Sequence, residues 1–143
     1  MMAMLESKST AADIRMAGLR GTRSRMAVLE LLRGAERPLT HSEVVDAFVD
    51  EPWDRATLYR NLVDMAEAGL LRRISLGSTW HFEASQSMQG QVKLHPHFVC
   101  DACGHVECTP EVQMQLKGSR KSSKAIQRGQ IEIQLHGLCD ACQ

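Results

Sequence analysis

The chain has 143 residues, 43% hydrophobic and 24% charged, with 17 basic against 17 acidic side chains and no net charge. That allows one compact domain or two small ones, and excludes a protein that coats nucleic acid by global positive charge. No run approaches the ~18 apolar residues of a membrane span, and the opening Met1 to Leu5 lacks the basic stretch and apolar core of a secretion signal. The sequence therefore predicts a cytoplasmic protein with no membrane partner, whose five cysteines are reduced and better suited to metal than to disulfides.

Charge is uneven locally. Residues 15–37 carry six arginines against two glutamates, and residues 55–73 carry four against two acids. Every basic residue from 15 to 73 is arginine, which suits bidentate phosphate or guanine contacts, although by charge alone a solvated surface is the readier reading. Thr22 can cap a helix with Met26, Leu29 and Leu32 on one stripe. Pro38 separates it from a second helix, opened by the capping-box spacing Thr40-His41-Ser42-Glu43 and buried through Val44, Val45 and Phe48. Asp54 can cap a third helix through Ala68, with Leu58, Leu62 and Met65 inward, Tyr59 on the flank, Arg60 on the far side, and Gly69 as its stop. Residues 70–76 and 79–83 then form a hairpin about Gly77-Ser78, with Ile74 and Leu76, then Trp80 and Phe82, alternating with polar residues. Three helices and a hairpin is the order of a winged helix-turn-helix, whose third helix enters the major groove. The same order also serves some protein-contact modules.

Residues 84–91 carry no charge and no periodicity, and read as a linker. Beyond it, Cys100-Asp101-Ala102-Cys103 and Cys139-Asp140-Ala141-Cys142 are two C-x-x-C pairs, the pattern of a closed tetrahedral zinc site rather than of a redox dithiol. Cys108 is the spare thiol. Val99, Val106 and the stretch 130–136, with Ile131, Ile133 and Leu135 alternating, predict strands, and 112–128 predicts a helix weakened at Gly118. A domain this small needs stapling by the zinc and by pairing with a second copy. His95-Pro96-His97, His81 and Glu83 on one face of the hairpin, and Glu107 form a second set of possible ligands. Spacing alone leaves these as either surface groups or a metal site. The expectation is an α+β chain: a winged-helix DNA-binding domain over 1–84, a hinge linker over 85–91, and a small α/β dimerisation and metal-binding domain over 92–143 with a four-cysteine zinc site.

These pieces resemble the Fur family of metal-dependent transcriptional repressors over residues 15–142. Gly18-Leu19-Arg20-Gly21-Thr22-Arg23-Ser24-Arg25 is similar to the family's opening G-L-[RK]-x-T-x-x-R. Arg55-Ala56-Thr57-Leu58-Tyr59-Arg60-Asn61-Leu62 is similar to its recognition-helix motif, and Glu67-Ala68-Gly69-Leu70-Leu71 to its E-A-G-L-[VI]. His95-Pro96-His97-Phe98-Val99-Cys100 with Cys103-Gly104, and the closing Gly137-Leu138-Cys139-Asp140-Ala141-Cys142, match its metal motifs. The resemblance implies a homodimer on a palindromic operator with metal as co-repressor. It places Arg20 at a minor-groove contact, Tyr59 and Arg60 at base-reading positions with Arg55 and Thr57 beside them, and Glu83, His95 and His97 at regulatory ligands. Glu107 falls on a further carboxylate ligand if one residue is deleted before it; otherwise the position is Cys108.

The departures bear on the metal. Where the family has a histidine before the second helix, this chain has Pro38, with His41 and His81 as candidate substitutes. Leu94, Pro96 and Ile131 occupy the positions of an auxiliary metal site, which is therefore expected to be absent. The implied cofactors are a structural Zn(II) and a second divalent ion, Fe(II), Zn(II), Mn(II) or Ni(II). The alternatives are a peroxide sensor of the same family, disfavoured because such members use Asp where Glu83 and Glu107 stand, and a zinc-stapled module without sensing. An enzyme acting on a small-molecule substrate is not expected, since no nucleophile or base motif accompanies Glu83, His95 and His97.

Overall fold

The computed structural model describes residues 2–85, 96–109, 111–112, 124 and 132–143, with side chains from residue 9 onward. It divides into two compact units, Met1–Ser85 and Gln86–Gln143. No helix among the described residues is long and apolar enough to cross a membrane.

The first unit runs α1 (Met2–Met16), α2 (Arg23–Gly34), β1 (Leu39–Thr40), α3 (His41–Ala47), α4 (Arg55–Glu67), β2 (Leu71–Leu76) and β3 (Thr79–Ala84). Side chains start the last three helices as their sequences predict. Arg25 N donates to Thr22 Oγ1 at 3.3 Å for α2. Thr40 and Glu43 exchange bonds at 3.2 and 2.8 Å in a capping box for α3. Thr57 N donates to Asp54 Oδ1 at 2.7 Å for α4. At the far end of α4, Leu70 N reaches Met65 O at 2.9 Å and Gly69 N reaches Ala66 O at 3.2 Å. This paired closure requires a left-handed residue, supplied by Gly69 at φ 85°.

Two elements differ from the sequence expectation. There are four helices here, not three: α1 precedes the others and contributes Ile14, fully buried, to the core. Its stretch has neither a capping residue nor an apolar stripe, so periodicity passes over it. Arg33 of α2 then ties it down, with Nη2 2.7 Å from Asp13 Oδ2. The hairpin is also part of a three-stranded sheet in the order β1-β3-β2, because Leu39 and Thr40 pair with Phe82 and His81. Trp80 does not share the burial of Phe82. It is half exposed near the hairpin tip, where the Arg73 guanidinium lies 4.0 Å above its ring, while Phe82 joins the core. That core draws on every helix and on the inner ends of β2 and β3: Ile14, Val28, Leu29, Leu32, Val44, Leu58, Leu62, Met65, Leu71 and Phe82 are all buried. Each such side chain contributes about 1.5–3 kcal/mol on burial, so the pose of α4 is set by its inner face.

The second unit has β4 (His97–Cys100), β5 (Val106–Cys108) and β6 (Gln134–Gly137), in the order β5-β4-β6. β5 is antiparallel to β4 and β6 is parallel to it. β6 begins at Gln134 rather than 130, and Glu132 and Ile133 precede it. The expected helix over 112–128, the linker over 86–91, and Leu94, His95 and Ile131 lie outside the described residues or, for Val112 and Lys124, at isolated described positions.

Candidate metal centre and nucleic-acid interface

The four cysteines of the two C-x-x-C pairs converge. Cys100 closes β4 and Cys139 follows β6, so the parallel pairing of those strands delivers both turns to one end of the sheet. Their ligand atoms all lie within 4.8 Å of one another, and Cys103 Sγ is 3.7 Å from Cys139 Sγ. A tetrahedron with metal–sulfur bonds of about 2.3 Å has sulfur–sulfur edges of about 3.8 Å, so the cluster fits zinc. The electrostatics prepare the site for a cation. The Cys103 and Cys139 amides hold the Cys100 thiol down at about 6. Cys103 is drawn down by the His105 amide, but the neighbouring sulfurs raise it overall, and the same crowding pushes Cys142 up to about 12. A dication would relieve the crowding that raises Cys103 and Cys142.

The second set of possible ligands divides. Glu83 is half-buried beside Arg72, 3.7 Å away, and shares a face of β3 with His81. Pro38, where the resemblance implies a histidine, is buried and directly precedes β1, whose Leu39 pairs with Phe82. His41 is engaged elsewhere: its Nε2 is 2.9 Å from the Arg55 carbonyl, and its ring meets Tyr59 edge-on at 5.3 Å between centroids. His97 is buried, 1% exposed. Glu107 pairs with Phe98 and Cys108 pairs with His97. Because successive strand residues alternate, Cys108 shares the face of His97 while Glu107 lies on the other, along a groove with Phe98, Leu135 and Cys139. Of the two alternatives left open by the sequence, the register thus places Cys108, and not Glu107, on the face of His97. His95 lies outside the described residues.

The candidate DNA-contacting residues belong to the first unit. On α4, Leu58, Leu62 and Met65 are fully buried, while Arg55, Tyr59 and Arg60 are exposed and Thr57 is half-buried at the capped end. Arg20 is exposed on the turn between α1 and α2. Its carbonyl accepts from Thr22 N at 2.9 Å and from Arg25 Nη1 at 3.1 Å. Arg25 also reaches across to Asp64 of α4 at 2.7 Å, so one guanidinium links the Arg20 turn to the helix that carries Arg60. Sequence reasoning did not identify Arg25 or His41 as positioning groups, since both act on residues distant in the chain.

Comparison with known proteins agrees with this architecture. The model of the ferric uptake regulator family matches residues 16–137. A ferric uptake regulation protein of Cupriavidus metallidurans is 35% identical over 101 residues, 67% of this chain and 66% of that one. A peroxide-responsive repressor PerR of Staphylococcus aureus is 28% identical over 103 residues, 71% of this chain and 66% of that one. The chain thus spans about two thirds of the length of these relatives. Among solved structures, the Vibrio cholerae ferric uptake regulator superposes with a TM-score of 0.62 at 25% identity, covering 90% of this chain and 98% of that one. With the family model spanning both the helix-and-hairpin unit and the strands of the second unit, the chain belongs to the ferric uptake regulator family.

Proposed function

We propose that the protein is a metal-responsive transcriptional repressor that binds palindromic operator DNA as a cytoplasmic homodimer. The observation that carries this reading is α4, a helix capped by Asp54 and fixed by its buried Leu58, Leu62 and Met65, with Tyr59 and Arg60 exposed to reach base edges. Cys100, Cys103, Cys139 and Cys142 hold a structural zinc that staples the dimerisation part. A second divalent ion, bound by Glu83 from the DNA-reading part and by His95 and His97 from the dimerisation part, gates affinity, with residues 85–91 as the hinge. His81 is a candidate fourth ligand because it shares a face with Glu83. The opposite faces of Glu107 and His97 count against Glu107, and the contacts of His41 with Arg55 and Tyr59 count against His41.

In this reading the ion adds no contact to DNA. It fixes the separation of the two reading heads before DNA arrives, a coupling of about 1–3 kcal/mol that is reciprocal, so operator also tightens metal binding. In this reading the protein acts as a regulator rather than as an enzyme. The test is operator binding with and without chelator, in the wild type and in a variant combining His95→Ala and His97→Ala. Metal dependence in the wild type and its loss in the zinc-retaining double variant are expected. Affinity that still rises with added metal in the variant refutes the ligand set, and affinity indifferent to metal in the wild type refutes the function.

A further inference from the structure

His97 and Cys108 lie directly opposite each other on β4 and β5. Which kind of pair they form follows from the ladder. Cys100 N donates to His105 O at 2.8 Å, and Thr109 N donates to Pro96 O at 3.3 Å. Antiparallel pairs alternate between hydrogen-bonded and non-hydrogen-bonded, so 96/109, 98/107 and 100/105 are bonded positions and 97/108 is not. Non-bonded pairs have α-carbons only about 4.5 Å apart, with their side chains closest together. The neighbouring non-bonded pair on the same face, Val99 and Val106, is buried, so the imidazole and thiol stand beside an apolar floor. An ion bound by one nitrogen at about 2.0 Å and one sulfur at about 2.3 Å needs those atoms about 3.6 Å apart, which is the reach of such a pair. The register is secured by Thr109 Oγ1, which also donates to Pro96 O at 2.7 Å.

We propose that Cys108, paired across strands with His97, is a thiolate ligand of the regulatory ion, and that the site in consequence prefers zinc to Mn(II) or Fe(II). This rests on the metal-gated reading above and deepens it by naming a ligand and the metal class it selects. A thiolate is soft and an imidazole intermediate, and that donor set holds zinc more strongly than hard-oxygen ions. The chemistry is coordination alone: the thiol loses its proton to solvent as the sulfur–metal bond forms.

The test titrates Co(II) into the full-length dimer whose four-cysteine site already holds zinc, with bound zinc measured before and after. The expected wild-type result is a near-ultraviolet sulfur-to-cobalt charge-transfer band with no zinc released. Cys108→Ser loses the band and binds the ion at least about tenfold more weakly, the loss that even an outer-shell substitution produces. Cys108→Glu binds cobalt without the band and narrows the preference for zinc over Mn(II). Cobalt that binds without a sulfur band, a band unchanged in Cys108→Ser, or a failure of cobalt to bind each overturns the proposal. Chelator-sensitive operator binding measured on the same proteins separates the two failures. If it persists in the wild type with the same metal midpoint as in Cys108→Ser, the ligand assignment alone falls; if it is absent, the gating falls as well.

Discussion

The buried bond between α2 and α4 offers a measurable test of how the reading helix is held. Asn61 Nδ2 donates to Ser24 Oγ at 2.9 Å, with Asn61 5% and Ser24 7% exposed. Asn61→Ala removes the donor and leaves the Ser24 hydroxyl in a site closed to water, a loss of about 1–3 kcal/mol. Thr22 Oγ1 lies 3.4 Å from Ser24 Oγ and retains part of the hydroxyl's bonding, which favours the lower half of that range. For a unit of this size each kcal/mol moves the midpoint by about 4–8 °C, so a loss of about 1.5 kcal/mol lowers it by about 6–12 °C. The combined variant Asn61→Leu with Ser24→Ala replaces both partners by apolar groups and should recover most of the loss. The assay is tryptophan fluorescence during thermal and urea unfolding. Both tryptophans of the chain, Trp53 and Trp80, lie in the first unit, so the signal reports that unit alone. A shift below about 2 °C for Asn61→Ala, or a double variant as destabilised as the sum of its singles, refutes the idea that this bond holds α4 against α2.

Three further outcomes are expected. Cys139→Ser, lacking one of four converging sulfurs, should run as monomer or aggregate in size-exclusion chromatography while Cys108→Ser stays dimeric; a normally melting dimer of Cys139→Ser would sink the zinc assignment. Arg60→Ala should cost operator binding about 1–3 kcal/mol and relax base preference, whereas Arg20→Ala should weaken binding evenly across sequences, both read by competition with altered operators. Burial raises the Glu43 carboxyl, but the Arg37 guanidinium and the Thr40 amide outweigh it and hold the group below its ordinary value. Its stabilisation is therefore full above the ordinary glutamate value and fades as pH falls through the lowered one, so the difference in melting midpoint between wild type and Glu43→Gln should narrow as pH falls below the ordinary glutamate value. A difference independent of pH would contradict it.

What could be read in advance divides along physical lines. Thr22, Thr40, Asp54 and Gly69 act on backbone groups within a few residues, so α2, α3 and α4 follow from local chemistry. The cluster of four cysteines was legible because two C-x-x-C turns bind one ion wherever the fold brings them together. The helix α1 was not, because among its described side chains one large apolar residue, Ile14, carries the packing, and a single contact leaves no period. The two residues of β1 are likewise too few to alternate. Which of residues 107 and 108 shares the face of His97 depends on strand register, where a shift of one residue exchanges the two faces, and no composition or spacing supplies that. The engagement of His41 with Arg55 and Tyr59 arises from the packing of α3 on α4 and has no local sign in the chain.

The placement of the cysteine turns also bears on how the second unit forms. β4 and β6 are parallel neighbours, and the Cys139 amide that bonds Cys100 Sγ stands 39 residues away along the chain. Bringing such distant segments together costs about 3 kcal/mol of loop-closure entropy before the first ladder bond repays it, which makes parallel pairing slow. The turn Cys100 to Cys103 is local and forms on its own strand pair. An ion captured there would leave positions for Cys139 and Cys142, whose arrival would close the loop and set the β4–β6 register together. Zinc would then act as a template for assembly as well as a staple, and the refolding rate of this unit should rise with zinc concentration until capture at the first turn is saturated.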